Sequence, residues 1–351
     1  MAPLDWGLGH ATRCVPIIHA LQNMGCRVWL AAEGKQAALL QQEFPGLEIL
    51  PLEGYRVRYS LNKWTLPFLL LKQIPRILRM IKQEHKWLDA QWEKHHFDLV
   101  ISDNRYGLSS PKTRCIFMTH QLLIKANFSR IEVLLQQINY RYIQKFDTCW
   151  VPDVAGEPNL AGDLSHPQKM PAVPVRYLGL LSRFTFAQQP VKYTYCILLS
   201  GPEPQRSLME TALIRAFANL PVSCLLVRGK PGEPETIAVP EHIKVVSHLP
   251  GNALASVLLQ SKFILCRSGY TSIMEIITLR RKALLIPTPG QTEQEYLAKR
   301  LMQQGYCYSF PQNEIAKLRD HLQSAESFEY RFTNFPLFTD KSLTDLFSGQ
   351  L

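Results

Sequence analysis

The chain is short of charge. Of its 351 residues only 19% are Asp, Glu, Lys or Arg, against 46% hydrophobic. That balance excludes an intrinsically disordered chain. Acid is the scarcer sign: 29 Asp and Glu face 39 Lys and Arg, a net charge of +10. A basic excess favours an anionic partner, whether nucleic acid, acidic membrane or phosphorylated ligand, without choosing among them. No apolar run approaches the roughly 20 residues of a membrane span; the longest is Leu66-Pro67-Phe68-Leu69-Leu70-Leu71. The N-terminus lacks a basic-then-apolar leader. The eight cysteines are scattered with no CxxC pair, and several sit in apolar runs such as Tyr195-Cys196-Ile197-Leu198. They read as buried free thiols in a reducing cytoplasm. There is no Asp-x-Asp pair and no His/Cys/Glu cluster at ligand spacing, so no metal is expected. Pro (24) and Gly (18) lie near background, which excludes collagen-like and linker-like classes.

What is present is an alternation of short apolar strands with amphipathic helices. Residues 11–24 place Cys14, Ile17, Ile18 and Leu21 on one helical face, with Gly25 as a C-terminal cap. Cys26 to Ala32 reads as a strand. Further strands are expected at 47–52, 98–102, 114–118, 148–152, 195–200, 222–227, 243–246, 262–266 and 283–287, and helices at 207–219, 253–260, 272–279 and 293–304. Such alternation argues for α/β architecture with parallel sheets covered on both faces. Two runs of it flank a Pro-rich stretch at 155–192, where the domain boundary is placed. Ahead of the first turn only Met1-Ala2-Pro3-Leu4-Asp5 is available for a strand. Strand one is a stub, or a few residues are missing upstream.

Residues 55–96 shift in composition, with nine Lys or Arg against three Asp or Glu. Over residues 64–82 an apolar knob, Trp64 to Leu71, precedes Lys72, Arg76, Arg79 and Lys82, interleaved with Ile74, Ile77, Leu78 and Ile81. This suits an anionic membrane surface; an ordinary core-facing helix with a solvated basic face has the same pattern.

Four motifs carry chemistry. Gly7-Leu8-Gly9-His10-Ala11-Thr12-Arg13 stands between a strand stub and a helix. Gly7 and Gly9 let the backbone approach a ligand, and a helix N-terminus attracts phosphate. Thr12 occupies the place of the third glycine of a dinucleotide fingerprint, which disfavours a nicotinamide site. His10 reads as a base or as a packing residue. Ser200-Gly201-Pro202-Glu203-Pro204-Gln205-Arg206 repeats the strand–loop–helix logic in the second half; Ser200 and Gly201 offer donors to a phosphate, or merely form a turn. Cys266-Arg267-Ser268-Gly269-Tyr270-Thr271-Ser272 follows an apolar strand and offers an anion cradle. Glu275, three residues after Ser272, also fits a capping box. Pro287-Thr288-Pro289-Gly290-Gln291-Thr292-Glu293-Gln294-Glu295 follows the next strand. Two strand ends thus present polar groups to one crevice, where ligands of open α/β sheets bind.

Here the order resembles the GT-B glycosyltransferases, and within them family 28, the MurG-like N-acetylglucosaminyl transferases. Residues 195–310 carry the resemblance most specifically. The Arg-Ser-Gly, small residues, Glu pattern keeps the family spacing at Arg267 and Glu275, and the Pro-rich strand end with its Gln-rich helix start matches Pro287 to Tyr296. GLGHATR is similar to the family's N-terminal glycine loop, and Thr119-His120-Gln121 to a stretch of its first domain. Glu295 stands where a second Gln is usual, and Tyr270 is bulkier than the usual Ala.

The resemblance implies two doubly wound Rossmann-like domains facing across a cleft: 1–175 binding the acceptor, 176–320 binding a nucleotide sugar, and 321–351 packing back toward the first. It implies a UDP-sugar donor, with Glu275 on the ribose hydroxyls. Ser268, Gly269, Tyr270, Thr271 and Ser272 would line the pyrophosphate and ribose site. Ser200 would approach the phosphate, the Leu249 backbone the uracil edge, and Glu293 and Gln294 the sugar hydroxyls. The acceptor is a hydroxyl, lipid-linked if residues 64–82 meet a membrane; that would make the protein cytoplasmic and peripheral on the cytoplasmic membrane face. Without a metal, helix N-termini and basic side chains must stabilise the diphosphate; Arg206, Arg228 and Arg267 are the candidates. A base must take the acceptor proton: His10 first, Asp103 of Ile101-Ser102-Asp103-Asn104 second, unless Asp103 only caps a turn. Rival readings keep the fold as a sugar-nucleotide hydrolase or a non-catalytic binder. A nucleic-acid binder is disfavoured by the lack of interleaved aromatic–basic motifs.

Overall fold

The computed structural model describes residues 1–56, 66–230 and 237–348, the side chains of 66–71 and 348 excepted. The described residues form two compact units.

The first unit opens with β1 (Ala2–Pro3), α1 (Leu8–Asn23), β2 (Leu30–Ala32), α2 (Gly34–Glu43), β3 (Ile49–Pro51) and the long α3 (Leu66–His95). It continues through β4 (Leu99–Asp103), β5 (Arg114–Met118), α4 (Ser129–Ile143), β6 (Thr148–Val151) and β7 (Val175–Tyr177). All pairings are parallel, in the order β1-β4-β5-β6-β7, with β2-β3 as a separate pair. The Ala31 amide donates to the Met1 carbonyl at 2.9 Å and so ties β2 to the strand-one side. The central strands read as continuous apolar runs because both faces are covered: Cys115, Ile116, Phe117 and Met118 are all buried. The Gly7 backbone (φ +89°) lets the chain turn sharply into α1. Ala11, Cys14, Val15, Ile18 and Leu21 then bury one face of that helix. Gly25 (φ +79°) closes it, donating to the Gln22 carbonyl at 2.9 Å.

The second unit holds β8 (Tyr193–Leu198), α5 (Gln205–Phe217), β9 (Cys224–Val227), β10 (Ile243–Val246), α6 (Gly251–Leu259) and β11 (Ser261–Cys266). After these come α7 (Tyr270–Thr278), β12 (Lys282–Leu285), α8 (Thr292–Gln303), β13 (Tyr308–Ser309) and α9 (Leu318–Ser327). Its six strands run in the order β10-β9-β8-β11-β12-β13, all parallel. This is the doubly wound order, with its reversal point between β8 and β11. Tyr195, Ile197, Phe263, Leu265, Leu284 and Ile286 share one core with Met209, Leu213 and Phe217 of α5.

Several elements differ from the sequence reading. The strand expected from Cys26 begins only at Leu30, because Cys26 and Arg27 are exposed and the Arg27 guanidinium stacks over the Trp29 ring at 4.3 Å. A boundary after residue 175 would cut β7, whose Arg176 pairs with Trp150 of β6; the first unit runs to Arg183 and the second from Phe184 to Asn334. Residues 321–334 lie in the second unit, where Leu322 and Ala325 join its core. The chain rejoins the first unit from Phe335 on. There the Leu180 amide donates to the Pro336 carbonyl at 2.9 Å, and Asp340 of α10 (Asp340–Ser348) accepts from Asn23 at 2.8 Å. The knob Trp64 to Leu71 lies outside the described side chains. Of the interleaved residues, Ile81 is buried and Ile77 half-buried, while Ile74 and Leu78 stand exposed. Among the described residues no helix is long and apolar enough to cross a membrane.

Candidate functional sites in the two units

Each unit gathers polar side chains at the carboxyl ends of its central strands, where an open parallel sheet leaves room for ligands. In the first unit the glycine turn after β1 brings His10 into the first turn of α1, and β4 ends on Asp103. The His10 Nδ1 lies 2.9 Å from Asp103 Oδ2. Asp103 is fully buried, and beneath it Arg13, 2% exposed, grips both carboxylate oxygens: Nε donates to Oδ2 at 3.0 Å and Nη2 donates to Oδ1. The Arg13 Nη1 also donates to His120 Nδ1 at 3.1 Å, from the loop after β5.

The electrostatics follow from that packing. Burial works to raise the Asp103 pKa, but Arg13 and His10 overcome it and hold the group below the usual carboxylate value. Burial and the Arg13 cation push His10 below the ordinary histidine value, against the upward pull of Asp103. The pair is thus an ionised carboxylate under a neutral imidazole. Buried and held by three donors, Asp103 cannot itself meet an acceptor, and a surface turn cap does not describe it either. Arg13 was not singled out from the sequence, although its position three after His10 puts both on one helical face.

In the second unit the loops after β8 and β11 flank the reversal point. Ser200 is half-buried just past β8, and Gly201 (φ +98°) is exposed at the turn. After β11, Gly269 is the N-cap of α7, and Tyr270, Thr271 and Ser272 are its first three residues. The amides of such a first turn have no partner within the helix and make an anion site. A Cβ at Gly269 would meet nothing within 4 Å, so the cap faces open space. Because the cap is Gly269, Ser272 and Glu275 lie inside the helix and form no capping box. Glu275 is a helix-interior carboxylate, 6% exposed. Leu249, half-buried, directly precedes Pro250, the N-cap of α6. Glu293, half-buried, stands in the first turn of α8.

Several residues expected on the donor also make bonds within the protein. Arg206 and Arg228 share one buried carboxylate: Arg206 Nη2 donates to Glu210 Oε2 at 3.1 Å, and Arg228 Nε donates to Glu210 Oε1 at 2.5 Å. Arg206 also holds Glu203 at 2.7 Å and the Arg228 carbonyl at 3.1 Å. Arg267, 1% exposed, ties the Ile286 and Pro287 carbonyls (both 3.2 Å) to that of Gln205 (2.9 Å). Its burial lowers its pKa to about 10. These three arginines brace the loops around the crevice. The Gln294 carboxamide is likewise engaged, accepting from the Thr288 amide at 2.9 Å and donating to Gln291 at 2.5 Å. Ser268 Oγ donates to the Gln294 carbonyl at 2.8 Å. Glu210 was missed because its role depends on two arginines on different elements.

Comparison with known proteins agrees with this geometry. Residues 241–335 match the glycosyltransferase family 28 C-terminal domain. A UDP-N-acetylglucosamine--N-acetylmuramyl-(pentapeptide) pyrophosphoryl-undecaprenol N-acetylglucosamine transferase from Histophilus somni (strain 129Pt) is 22% identical over 324 residues, covering 88% of this chain and 83% of that protein. Among solved structures, spinosyn rhamnosyltransferase SpnG superposes with a TM-score of 0.65 at 15% identity, covering 93% of this chain and 91% of that one. MurG from Acinetobacter baumannii does so at 0.53 and 15% identity, covering 94% and 91%. The chain is therefore a glycosyltransferase of the GT-B fold, two Rossmann-like units of which the second carries a family 28 C-terminal domain.

Proposed function

We propose that this chain is an inverting, metal-independent transferase that moves a sugar from a UDP-linked donor to a hydroxyl acceptor. The observation that carries the reading is the His10–Asp103 pair, a neutral imidazole seated on a buried carboxylate at 2.9 Å. With Nδ1–H held by Asp103, the Nε2 lone pair takes the acceptor proton. The freed oxygen bonds to the anomeric carbon as the bond from that carbon to the diphosphate oxygen breaks. The diphosphate leaves with the electron pair, and a single displacement inverts the centre. Asp103 stays ionised and orients the ring. In the second unit the amides that open α7 stabilise the leaving charge. Ser200, Gly201, Thr271 and Ser272 line that crevice, Glu275 takes the ribose hydroxyls, the Leu249 backbone faces the base, and Glu293 reaches the sugar.

The curated relative's name includes an undecaprenol-linked acceptor, and a lipid-linked acceptor is the reading we adopt. Exposed Ile74 and Leu78 beside exposed Lys72, Arg79 and Lys82 support peripheral docking of α3 on the cytoplasmic face of an anionic membrane. Replacing Ile74 and Leu78 by Ser should release the protein from anionic vesicles; a wild type that never pellets with them rules docking out.

The central test is calorimetry of UDP and a panel of UDP-sugars, in EDTA, on wild type and Glu275→Ala. Metal-free binding that disappears in the variant supports the donor site. Undiminished binding removes Glu275 from it, and no binding to any uridine nucleotide turns the panel to dTDP-, GDP- and CMP-sugars. Sugar release at a rate indifferent to every acceptor would make the enzyme a hydrolase, with water in the acceptor's place; binding without turnover would make it a sensor.

A further inference from the structure

Arg13 is an unusual companion for a base. A carboxylate alone beneath an imidazole draws it toward imidazolium, since an opposite charge within about 4–6 Å favours the charged form. A base so held is protonated when it should be empty. Here the carboxylate is already neutralised. Arg13 Nε takes Asp103 Oδ2 at 3.0 Å and Nη2 takes Oδ1, leaving Oδ2 one further site for His10 Nδ1 at 2.9 Å. With His10 neutral, the group of Arg13, Asp103 and His10 carries no net charge; protonating His10 would add a second cation beside the buried Arg13 guanidinium, with one carboxylate between them.

The ionised carboxylate beside the ring also selects a tautomer. Arg13 Nη2 lies 2.9 Å from His10 Nδ1 as well. That nitrogen either donates to Asp103 or accepts from Arg13, and only the first leaves Nε2 free. Nη2 has a second hydrogen beyond the one on Asp103 Oδ1, but an unprotonated Nδ1 would set its lone pair against the ionised Oδ2 at 2.9 Å, so Nδ1 keeps its hydrogen and points it at Oδ2. From the other side Arg13 Nη1 donates to His120 Nδ1 at 3.1 Å, and His120 is 4% exposed. An imidazole that accepts there carries its hydrogen on Nε2 and is neutral, so His120 fixes the guanidinium plane without adding charge. The Cys14 thiol, 3.9 Å from Asp103 Oδ2, is held protonated by burial and by that carboxylate. Arg13, Asp103, His120 and Cys14 are the charged and titratable groups that face His10 from α1, β4 and the loop after β5.

We propose that Arg13 is the positioning residue that fixes the charge and tautomer of His10, keeping it a neutral imidazole with Nε2 open to the acceptor. The inference rests on the proposed role of His10 but is tested without it. The measurement is long-range ¹⁵N–¹H NMR of histidine-labelled protein across pH, in wild type, Arg13→Lys and Arg13→Gln, with His10→Gln to assign the signal. Wild type should show the Nδ1–H tautomer. Arg13→Gln should raise the His10 midpoint by about 1–2 units, whereas Arg13→Lys, which keeps the charge, should stay within about half a unit. An unmoved midpoint in folded Arg13→Gln overturns the proposal. So does an Nε2–H tautomer in wild type, which decides the matter even if Arg13→Gln does not fold. The pH profile of kcat/KM is read beside the NMR. If the acid limb follows the His10 midpoint, both readings stand. If the midpoint moves and the limb does not, Arg13 keeps its role and His10 is not the base.

Discussion

The two units wind their sheets alike and place their polar groups alike, yet they use arginine in opposite ways. In the first unit Arg13 lies beside the proposed base, His10, and shares its carboxylate. In the second, Arg206, Arg228 and Arg267 are bound to Glu210 or to carbonyls. What is proposed to meet the donor there is a helix start, hydroxyls and one buried carboxylate. The difference fits the tasks proposed for the two units. Moving a proton needs a side chain whose charge state is held, so full charges surround it at short range. Holding an anion needs donors that are ready before the ligand arrives; main-chain amides supply these, provided the loops that carry them are braced.

The comparison breaks first if the tasks are not separate. His10→Ala should lower kcat by about 10²–10⁴-fold while leaving the affinity for UDP unchanged. Steady-state kinetics beside calorimetry checks this, and a parallel loss of nucleotide affinity would show that the first unit also shapes the donor site. The next effect lies in stability. Glu210→Ala removes the carboxylate that Arg228 and Arg206 share, leaving Arg206 with Glu203 as its carboxylate, and removing one partner of a buried pair costs about 3–5 kcal/mol. Denaturant unfolding should register that loss while the His10 titration stays in place, since Glu210 belongs to the other unit.

The fold was largely legible because its central strands are unbroken apolar runs, such as Phe263-Ile264-Leu265-Cys266, which a glycine-bearing loop follows. The short edge strands β7 and β13 were not, since two or three residues carry no period. The site was legible where backbone conformation or residue type decides it: Gly7 turning into α1, Gly269 opening α7, His10 beside the turn. It was illegible where partners decide it. A sequence shows that Arg206, Arg228 and Arg267 are cations; only the fold shows the carboxylate and carbonyls that occupy them. Asp103 read as a competing base for the same reason, because its burial under His10 joins residues 93 apart in the chain.

A smaller effect sharpens the contrast on the donor side. Glu275→Gln keeps the shape of the buried side chain and removes its charge. A hydrogen bond to a charged group contributes about 1.5–3 kcal/mol, so affinity for UDP should fall by about ten- to a hundredfold, with kcat at saturation little changed. A change in kcat without one in affinity would move Glu275 from nucleotide binding to catalysis.

The smallest effect is also the most direct reading of the first unit. An ordinary histidine base with a pKa of about 6.5 would lose about half its activity at pH 6.5. His10 titrates lower, through burial and the Arg13 charge. Its working form is the neutral one, so activity should rise with pH through that lowered value and stand on a plateau by neutrality. A drop from pH 7.5 to 6.5 well short of half is expected in wild type. A drop of half or more would mean that the upward pull of Asp103 on His10 prevails over burial and the Arg13 charge, and that the first unit holds its base no more tightly than water would.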